Sequence, residues 1–220
     1  MRTVVIALGY LAASFGLPAL AGGQSQISAH EAREQLFWHD LYGAGGTTLY
    51  CAKAFASGGA GGSLSISPIY SNKQLKSALR CITDRQCRIM TPHYAYMVSD
   101  LHNLYPALSR VELARSNAQF AELDASAQNA FDDIDCDLKS SAKLLEPRDE
   151  AKGNIARAIF YMHIEYDLPI VGQARMYKQW HRMDPPDAAE NARNEKIGGL
   201  QGTRNRFIDD PSLVEQLIAD

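Results

Sequence analysis

An imidazole two positions from a carboxylate offers the most direct chemistry in this sequence. Asp100-Leu101-His102-Asn103-Leu104-Tyr105-Pro106 alternates polar with apolar residues, the period of a short strand that places Asp100 and His102 on one face. Histidine takes up a proton near neutral pH and a carboxylate holds a hard cation, so the two are candidates for a base and a metal ligand. Glu112 can also bind a cation through its carboxylate. Lys73, Lys76, Arg80, Arg85 and Arg88 form a basic stretch able to contact phosphate groups, with affinity that falls as salt rises. A solvated charged loop is its simpler explanation. His39 and His93 read as ordinary surface or partly buried histidines.

These residues need a framework, and the composition supplies one. A chain of 220 residues with 46% hydrophobic and 21% charged content lies in the globular range and can bury a core, with one domain expected. Arg2 precedes an apolar run over residues 4–17 and then Pro18-Ala19-Leu20-Ala21, the pattern of a secretory signal peptide cleaved after Ala21. Gly9, Gly16 and Pro18 interrupt the run, which falls short of the roughly 20 apolar residues of a membrane span. The expected organisation is a signal peptide over 1–21 and one soluble domain over 22–220, periplasmic or secreted. Loss of Arg2 leaves 21 cationic against 25 acidic side chains, a net charge of −4. Bulk charge therefore gives no nucleic-acid binding, which would need a local basic face.

All four cysteines, Cys51, Cys81, Cys87 and Cys136, lie in the exported part, where two disulfides are expected. Three connectivities exist. The short spacing of Cys81 and Cys87 favours a local staple that leaves Cys51 for Cys136. A zinc site is the competing reading, but no Cys-x-x-Cys or His-x₃-His spacing supports it.

Along the chain, Ser28-Ala29-His30-Glu31 has the form of a capping box opening a helix whose Leu36, Phe37 and Leu41 share a face and which stops at Gly43. Residues 45–51 read as a turn entering a short strand. Residues 57–62 form a Gly-rich loop without the Gly-Lys-Ser/Thr that a phosphate cradle requires. Residues 64–70 are strand-like, ending at Pro68, and the stretch on to Met90 reads as an ordered, stapled loop. A helix begins within 111–120, and the later half is expected to be mainly helical. There, Ile155, Ile159, Met162 and Tyr166 mark one buried face, ended by Leu168-Pro169. Met176, Tyr177, Trp180 and Met183 form a second stripe, broken by Pro185-Pro186. A closing helix is capped by Asp210 with Pro211 at its first position, burying Leu213, Val214, Leu217 and Ile218.

Several strings carry a resemblance. Gly45-Gly46-Thr47-Thr48-Leu49-Tyr50-Cys51, Cys81-Ile82-Thr83-Asp84-Arg85-Gln86-Cys87-Arg88 and Ser99-Asp100-Leu101-His102-Asn103-Leu104-Tyr105-Pro106-Ala107 resemble bacterial endonuclease I, in the same order. So do Arg115-Ser116-Asn117, Glu146-Pro147-Arg148, Ile155-Ala156-Arg157 to Phe160-Tyr161-Met162, and Gln201-Gly202 with Asn205 and Phe207. The match runs from about Leu36 to Ile208. It implies an α+β, mainly helical, disulfide-stapled single domain built around a ββα (His-Me finger) motif that hydrolyses DNA or RNA phosphodiesters with Mg²⁺. In that family a histidine ending the first strand acts as general base on water, while an adjacent glutamate and a helix asparagine hold the metal.

Carried over residue by residue, the family's Ile-Glu-His-Val-Tyr-Ser string aligns without a gap on Ile66-Ser67-Pro68-Ile69-Tyr70-Ser71. The base position is then Pro68 and the first metal-ligand position Ser67. Nine residues beyond Asn103, the metal-binding asparagine's place is Glu112. Proline has no side chain to accept a proton, and serine is a far poorer Mg²⁺ ligand than a carboxylate.

Three readings follow. The first is an exported pseudo-nuclease that keeps the fold and loses metal-dependent hydrolysis, with Arg80, Arg85 and Arg88 left beside the former catalytic strand to bind nucleic acid. The second is a working Mg²⁺ nuclease with its chemistry relocated to His102, Asp100 and Glu112, although the string holding His102 conforms to the family and reads first as scaffold. The third is a stapled scaffold for a protein partner.

Overall fold

The computed structural model describes residues 22–57, 63–116 and 118–220. The expected signal peptide, most of the Gly-rich loop and Asn117 lie outside them. The described chain begins in a polar knot, where Gln24 Oε1 accepts from the amides of Gln26 at 2.9 Å and Ile27 at 2.8 Å. Helix α1 (His30–Gln35) follows and widens into a π-helical turn over Leu36–Leu41, burying Phe37 and Leu41. The expected Ser28–Glu31 capping box does not form. The helix is flanked by Ala29, which offers no side-chain cap. Buried Ile27 and its Gln24 anchor set the register one residue later than the box requires.

Strands β1 (Gly46–Thr47) and β2 (Ala54–Phe55) pair antiparallel around a turn that buries Tyr50 and Cys51. Gly45 opens this pair at φ +89°, and a Cβ there would lie 2.4 Å from the Phe55 carbonyl oxygen, so only glycine fits. Strand β3 (Leu64–Pro68) is followed by α2 (Asn72–Ala78), α3 (Asp84–Met90) and α4 (Tyr94–Met97). The expected ordered loop up to Met90 is therefore two capped helices. Ser71 and Gln74 form a complete capping box on α2, and Thr83 caps α3 by accepting from the Gln86 amide. These helices bury little more than Leu75 and Cys87, so their apolar periodicity is too thin to mark them.

The expected strand at Asp100–His102 is also corrected. Leu101–Asn103 form a 3₁₀ turn capped by Asp100, and β4 (Leu104–Leu108) starts only after it. β4 pairs antiparallel with β3, Pro68 opposite Leu104 and Ser67 opposite Tyr105. Helix α5 (Ser109–Arg115) leaves directly from β4.

The expectation of a mainly helical later half misses a sheet. Strands β5 (Gln119–Phe120), β6 (Asn129–Phe131), β7 (Cys136–Ser141) and β8 (Leu144–Pro147) run in the order β5-β8-β7-β6, with β5 and β8 parallel. Both expected disulfides form. Cys51–Cys136 ties the buried turn to the start of β7, and Cys81–Cys87 staples α3.

Helix α6 (Asp149–Tyr166) runs through the core, its Ile155, Ile159, Phe160, Tyr161 and Met162 all buried. It is enclosed beyond the single face that the sequence marks. Each such side chain contributes about 1.5–3 kcal/mol by leaving water. Helix α7 (Ala174–Met183) packs on α6 through Tyr177 and Trp180, but Met183 is exposed. Helices α8 (Ala188–Gln201), α9 (Arg206–Asp209) and α10 (Leu213–Leu217) close the domain. The expected Asp210 cap with Pro211 at the first position does not open α10, which Ser212 flanks without a side-chain cap; Asp210 instead accepts from the Ser212 amide at 3.0 Å in the turn before it. Val214 and Ile218 are buried, Leu213 is half-buried, and Leu217 is exposed. With only five residues, α10 is too short to bury a longer stripe.

Candidate functional site

The end of β3 and the first turns of α5 form one wall of a cleft of about 380 Å³, lined by Arg33, Pro68, Ser71, Lys73, Glu112 and Ser116 among others. Side chains alternate along a strand, so Ile66 and Pro68 line the cleft while Ser67 turns inward. The Ser67 hydroxyl is fully buried and lies 3.0 Å from Tyr50 Oη. Asn103 fixes the end of the strand. Its Oδ1 accepts from the Tyr70 amide at 2.7 Å and its Nδ2 donates to the Tyr70 carbonyl at 3.0 Å.

Glu112 is the one carboxylate on this wall, and its Oε2 is buried without a hydrogen-bond partner. Burial pushes its carboxyl up, opposed by the Arg115 guanidinium and the Ser67 hydroxyl. Burial likewise raises the Tyr50 phenol, opposed chiefly by Arg115. Arg115 is itself buried, donates to the Ile69 carbonyl and sits 5.1 Å over the Phe120 ring. This cluster of Tyr50, Ser67, Glu112 and Arg115 backs the cleft.

The donor set does not suit Mg²⁺, which wants several hard oxygens in octahedral array. Pro68 offers no donor, and the Ser67 hydroxyl is engaged by Tyr50. That leaves the Glu112 carboxylate, and no cluster of three or more His, Cys, Asp or Glu suited to a metal occurs among the described residues.

His102 and Asp100 do not line the cleft. The His102 ring is buried, packs 4.6 Å from the Tyr161 ring, and has its Nε2 2.9 Å from the Thr203 carbonyl. Burial pulls its pKa down to about 4, so the ring is neutral and donates from Nε2. Asp100 is fully buried and saturated. It accepts from the His102 amide, Gln201 Nε2, Tyr161 Oη and Tyr166 Oη at 2.7–2.9 Å.

The basic stretch divides. Lys73 lines the cleft, and Arg88 lines an adjoining hollow with Arg33, Asp84 and Tyr94. Lys76 is taken up by Asp84 at 2.8 Å, while Arg80 and Arg85 stand exposed away from both. Sequence reasoning misses Arg33, for which α1 carries no motif. It also misses the roles of Tyr50 and Arg115, which sit inside resembling strings but announce no chemistry by type.

The family model described as Endonuclease I matches residues 39–212. An extracellular deoxyribonuclease and a periplasmic deoxyribonuclease of Aeromonas hydrophila are each 36% identical over 115 residues, 51% of this chain and 50% and 48% of their own lengths. An extracellular ribonuclease of Bacillus amyloliquefaciens is 31% identical over 142 residues, 54% of this chain and 46% of its own. The chain spans about half the length of the curated relatives it matches. No helix among the described residues is long and apolar enough to cross a membrane.

Proposed function

The chain belongs to the endonuclease I family, and from that premise we propose that it is an exported nucleic-acid-binding protein that keeps the family's ββα finger and has lost its metal-dependent hydrolysis. The finger corresponds to β3, β4 and α5, antiparallel strands followed at once by a helix. The observation that carries the reading is the meeting of Pro68 and Glu112 in one cleft at the end of that motif. Water is a poor nucleophile at neutral pH and needs a base and a cation to become one. Pro68 supplies neither, and Ser67 is turned away to Tyr50.

Binding is supported by Lys73 and Arg88 along the cleft and its neighbour, with Arg33 beside them paired to Glu34, a local basic face on an acidic chain. The relatives named above are extracellular or periplasmic deoxyribonucleases and an extracellular ribonuclease, which supports both export and a phosphodiester ligand. Two disulfides suit an oxidising compartment. Mass spectrometry of the exported protein checks the expected cleavage after Ala21. The saturated contacts of Asp100 and the buried neutral ring of His102 support reading both as scaffold.

Purified mature protein is expected to shift a labelled oligonucleotide in EDTA at low salt and to leave supercoiled plasmid intact with Mg²⁺. Nicking that EDTA abolishes would overturn the loss of hydrolysis. The combined variant Ser67→Glu, Pro68→His and Glu112→Asn is expected to gain Mg²⁺-dependent nicking, because the surrounding motif is in place. The protein-partner reading draws on Ile82, Ile89 and Met90, all exposed around α3. No retention on DNA at low ionic strength would move the function to that face.

A further inference from the structure

Cations in this chain are mostly matched by carboxylates. Lys53 pairs with Asp135, Arg110 with Asp133, Lys152 with Glu146 and Asp149, Arg157 with Glu190, Arg182 with Glu215 and Arg206 with Glu165. Arg115 and Arg193 donate to backbone carbonyls instead. By contrast, Lys73, Arg80, Arg85, Arg88, Lys143 and Arg175 have no carboxylate within ion-pair distance among the described residues. Arg80 and Arg85 stand apart on the surface, but the other four fall together.

Arg88, Lys73, Lys143 and Arg175 line four hollows that adjoin in series, each sharing wall residues with the next. The Arg88 hollow, about 100 Å³, shares Arg33, Asn72 and Val98 with the Pro68–Glu112 cleft. That cleft shares Ser71, Lys73 and Ser116 with a hollow of about 330 Å³ walled by Lys143. This in turn shares Gln119 and Leu144 with a compartment of about 510 Å³ that carries Arg175. Each compartment thus presents an unpaired cation. Cations spread one by one along a channel suit a linear polyanion with regularly spaced charges, whereas a small anion is held by several donors converging on one point.

Three carboxylates line the channel, and two are occupied, Glu112 with its unpartnered Oε2 being the exception. Asp84 is held by Lys76 at 2.8 Å and by Tyr94 Oη at 2.7 Å, and Glu122 accepts from Trp180 Nε1 at 3.1 Å. The compartment at Arg175 also offers Leu144 and Met176 as an apolar wall, against which a base can lie out of water.

We infer that the groove carries a phosphodiester strand past the Pro68–Glu112 cleft into a second subsite between β5, β8 and α7, where Lys143 and Arg175 contact phosphates. The inference rests on the nucleic-acid-binding reading above and extends it from one phosphate to a path. A small occupant of the cleft would ignore Lys143 and Arg175; a strand cannot.

Fluorescence anisotropy in EDTA tests the path, with labelled oligothymidylates of about four and about sixteen nucleotides, lengths that bracket the usual single-strand site. In the double variant Lys143→Gln with Arg175→Gln, affinity for the longer strand is expected to fall about tenfold or more. The slope of log K against log salt should become shallower by about 1.4, two phosphate contacts at roughly 0.7 each. Lys73→Gln should weaken both lengths, and Arg182→Gln, off the groove, neither. A duplex of the longer length, run in parallel, identifies whether the groove takes one strand or two. Loss of either ligand in the double variant supports the subsite. Unchanged affinity and slope in that variant, with Lys73→Gln still weakened, overturn the second subsite alone. Absence of any binding by the unaltered protein instead overturns the functional reading beneath it.

Discussion

Two regions of the molecule hold titratable side chains close together, and they treat them in opposite ways. Around Asp100 every oxygen is satisfied, with two tyrosines, a glutamine and a backbone amide converging on one carboxylate inside the core. The exception there is His102 Nδ1, buried without a partner, whereas at the cleft Glu112 Oε2 and two guanidinium nitrogens of Arg115 are all without one. A buried polar group normally meets its partners, and one that does not has a cost to explain. The first region has the organisation of scaffold, in which polar groups fix the backbone. The second leaves buried polar atoms facing a cleft without partners, the arrangement on which the proposed loss of hydrolysis draws. Residue type alone does not separate them, since the His–Asp pair is the more chemical of the two on paper.

Removing the Asp100 carboxylate is the strongest way to break this contrast. Asp100→Ala strands the hydroxyls of Tyr161 and Tyr166 and the amide of Gln201, and should cost about 3–5 kcal/mol or prevent folding. Tyr166→Phe, which removes a single donor, should cost about 1–3 kcal/mol. Urea titration reads both. A loss under about 1 kcal/mol for Asp100→Ala would place that region among the expendable ones.

The next effect is a pH dependence. Burial pulls the His102 imidazole down to about 4 from the 6.5 of a free imidazole, so between those values the unfolded chain binds the extra proton. Its contribution is therefore full above about pH 6.5 and falls as pH drops toward 4, by about 3 kcal/mol if the whole shift is expressed. His102→Asn should flatten that portion of the stability profile, measured by urea midpoints across the range. A profile unchanged by the substitution would deny the ring its buried neutral state.

Much of the framework is legible in the sequence because its causes are local. The β3 strand ending at Pro68, the core helix marked by Ile155, Ile159 and Met162, and both cysteine pairings are written in spacing. The capping signature shows where local reading fails. Ser28 and Glu31 carry it without forming a cap, because buried Ile27 fixes the register. Ser71 with Gln74 and Thr83 with Gln86 carry it too and do cap helices, in a stretch whose charge suggests a loop. The sheet of β5 to β8 is hidden because its strands are short and its parallel pair joins segments far apart in sequence. At the cleft, Pro68 and Glu112 are found only by alignment to a family pattern. Arg33 comes from a helix before the matched region, and Lys143 and Arg175 are brought to the groove by packing that no spacing encodes.

The mildest test addresses Pro68 in the cleft wall. Pro68 ends β3, which pairs on one side with β4 alone, so a proline's missing N–H need not break a ladder there. Its ring is half-buried and lines the cleft. Pro68→Ala should therefore change stability by no more than about 0.4–1 kcal/mol, a loss arising from the greater freedom of the unfolded chain. The same substitution should leave oligonucleotide affinity within about twofold, since it alters no charge. A destabilisation of about 3 kcal/mol or more would mean that proline holds the strand end in place, and that the cleft is as much scaffold as the buried knot around Asp100. A small effect keeps the two regions distinct and leaves position 68 free to accept a histidine in the combined variant.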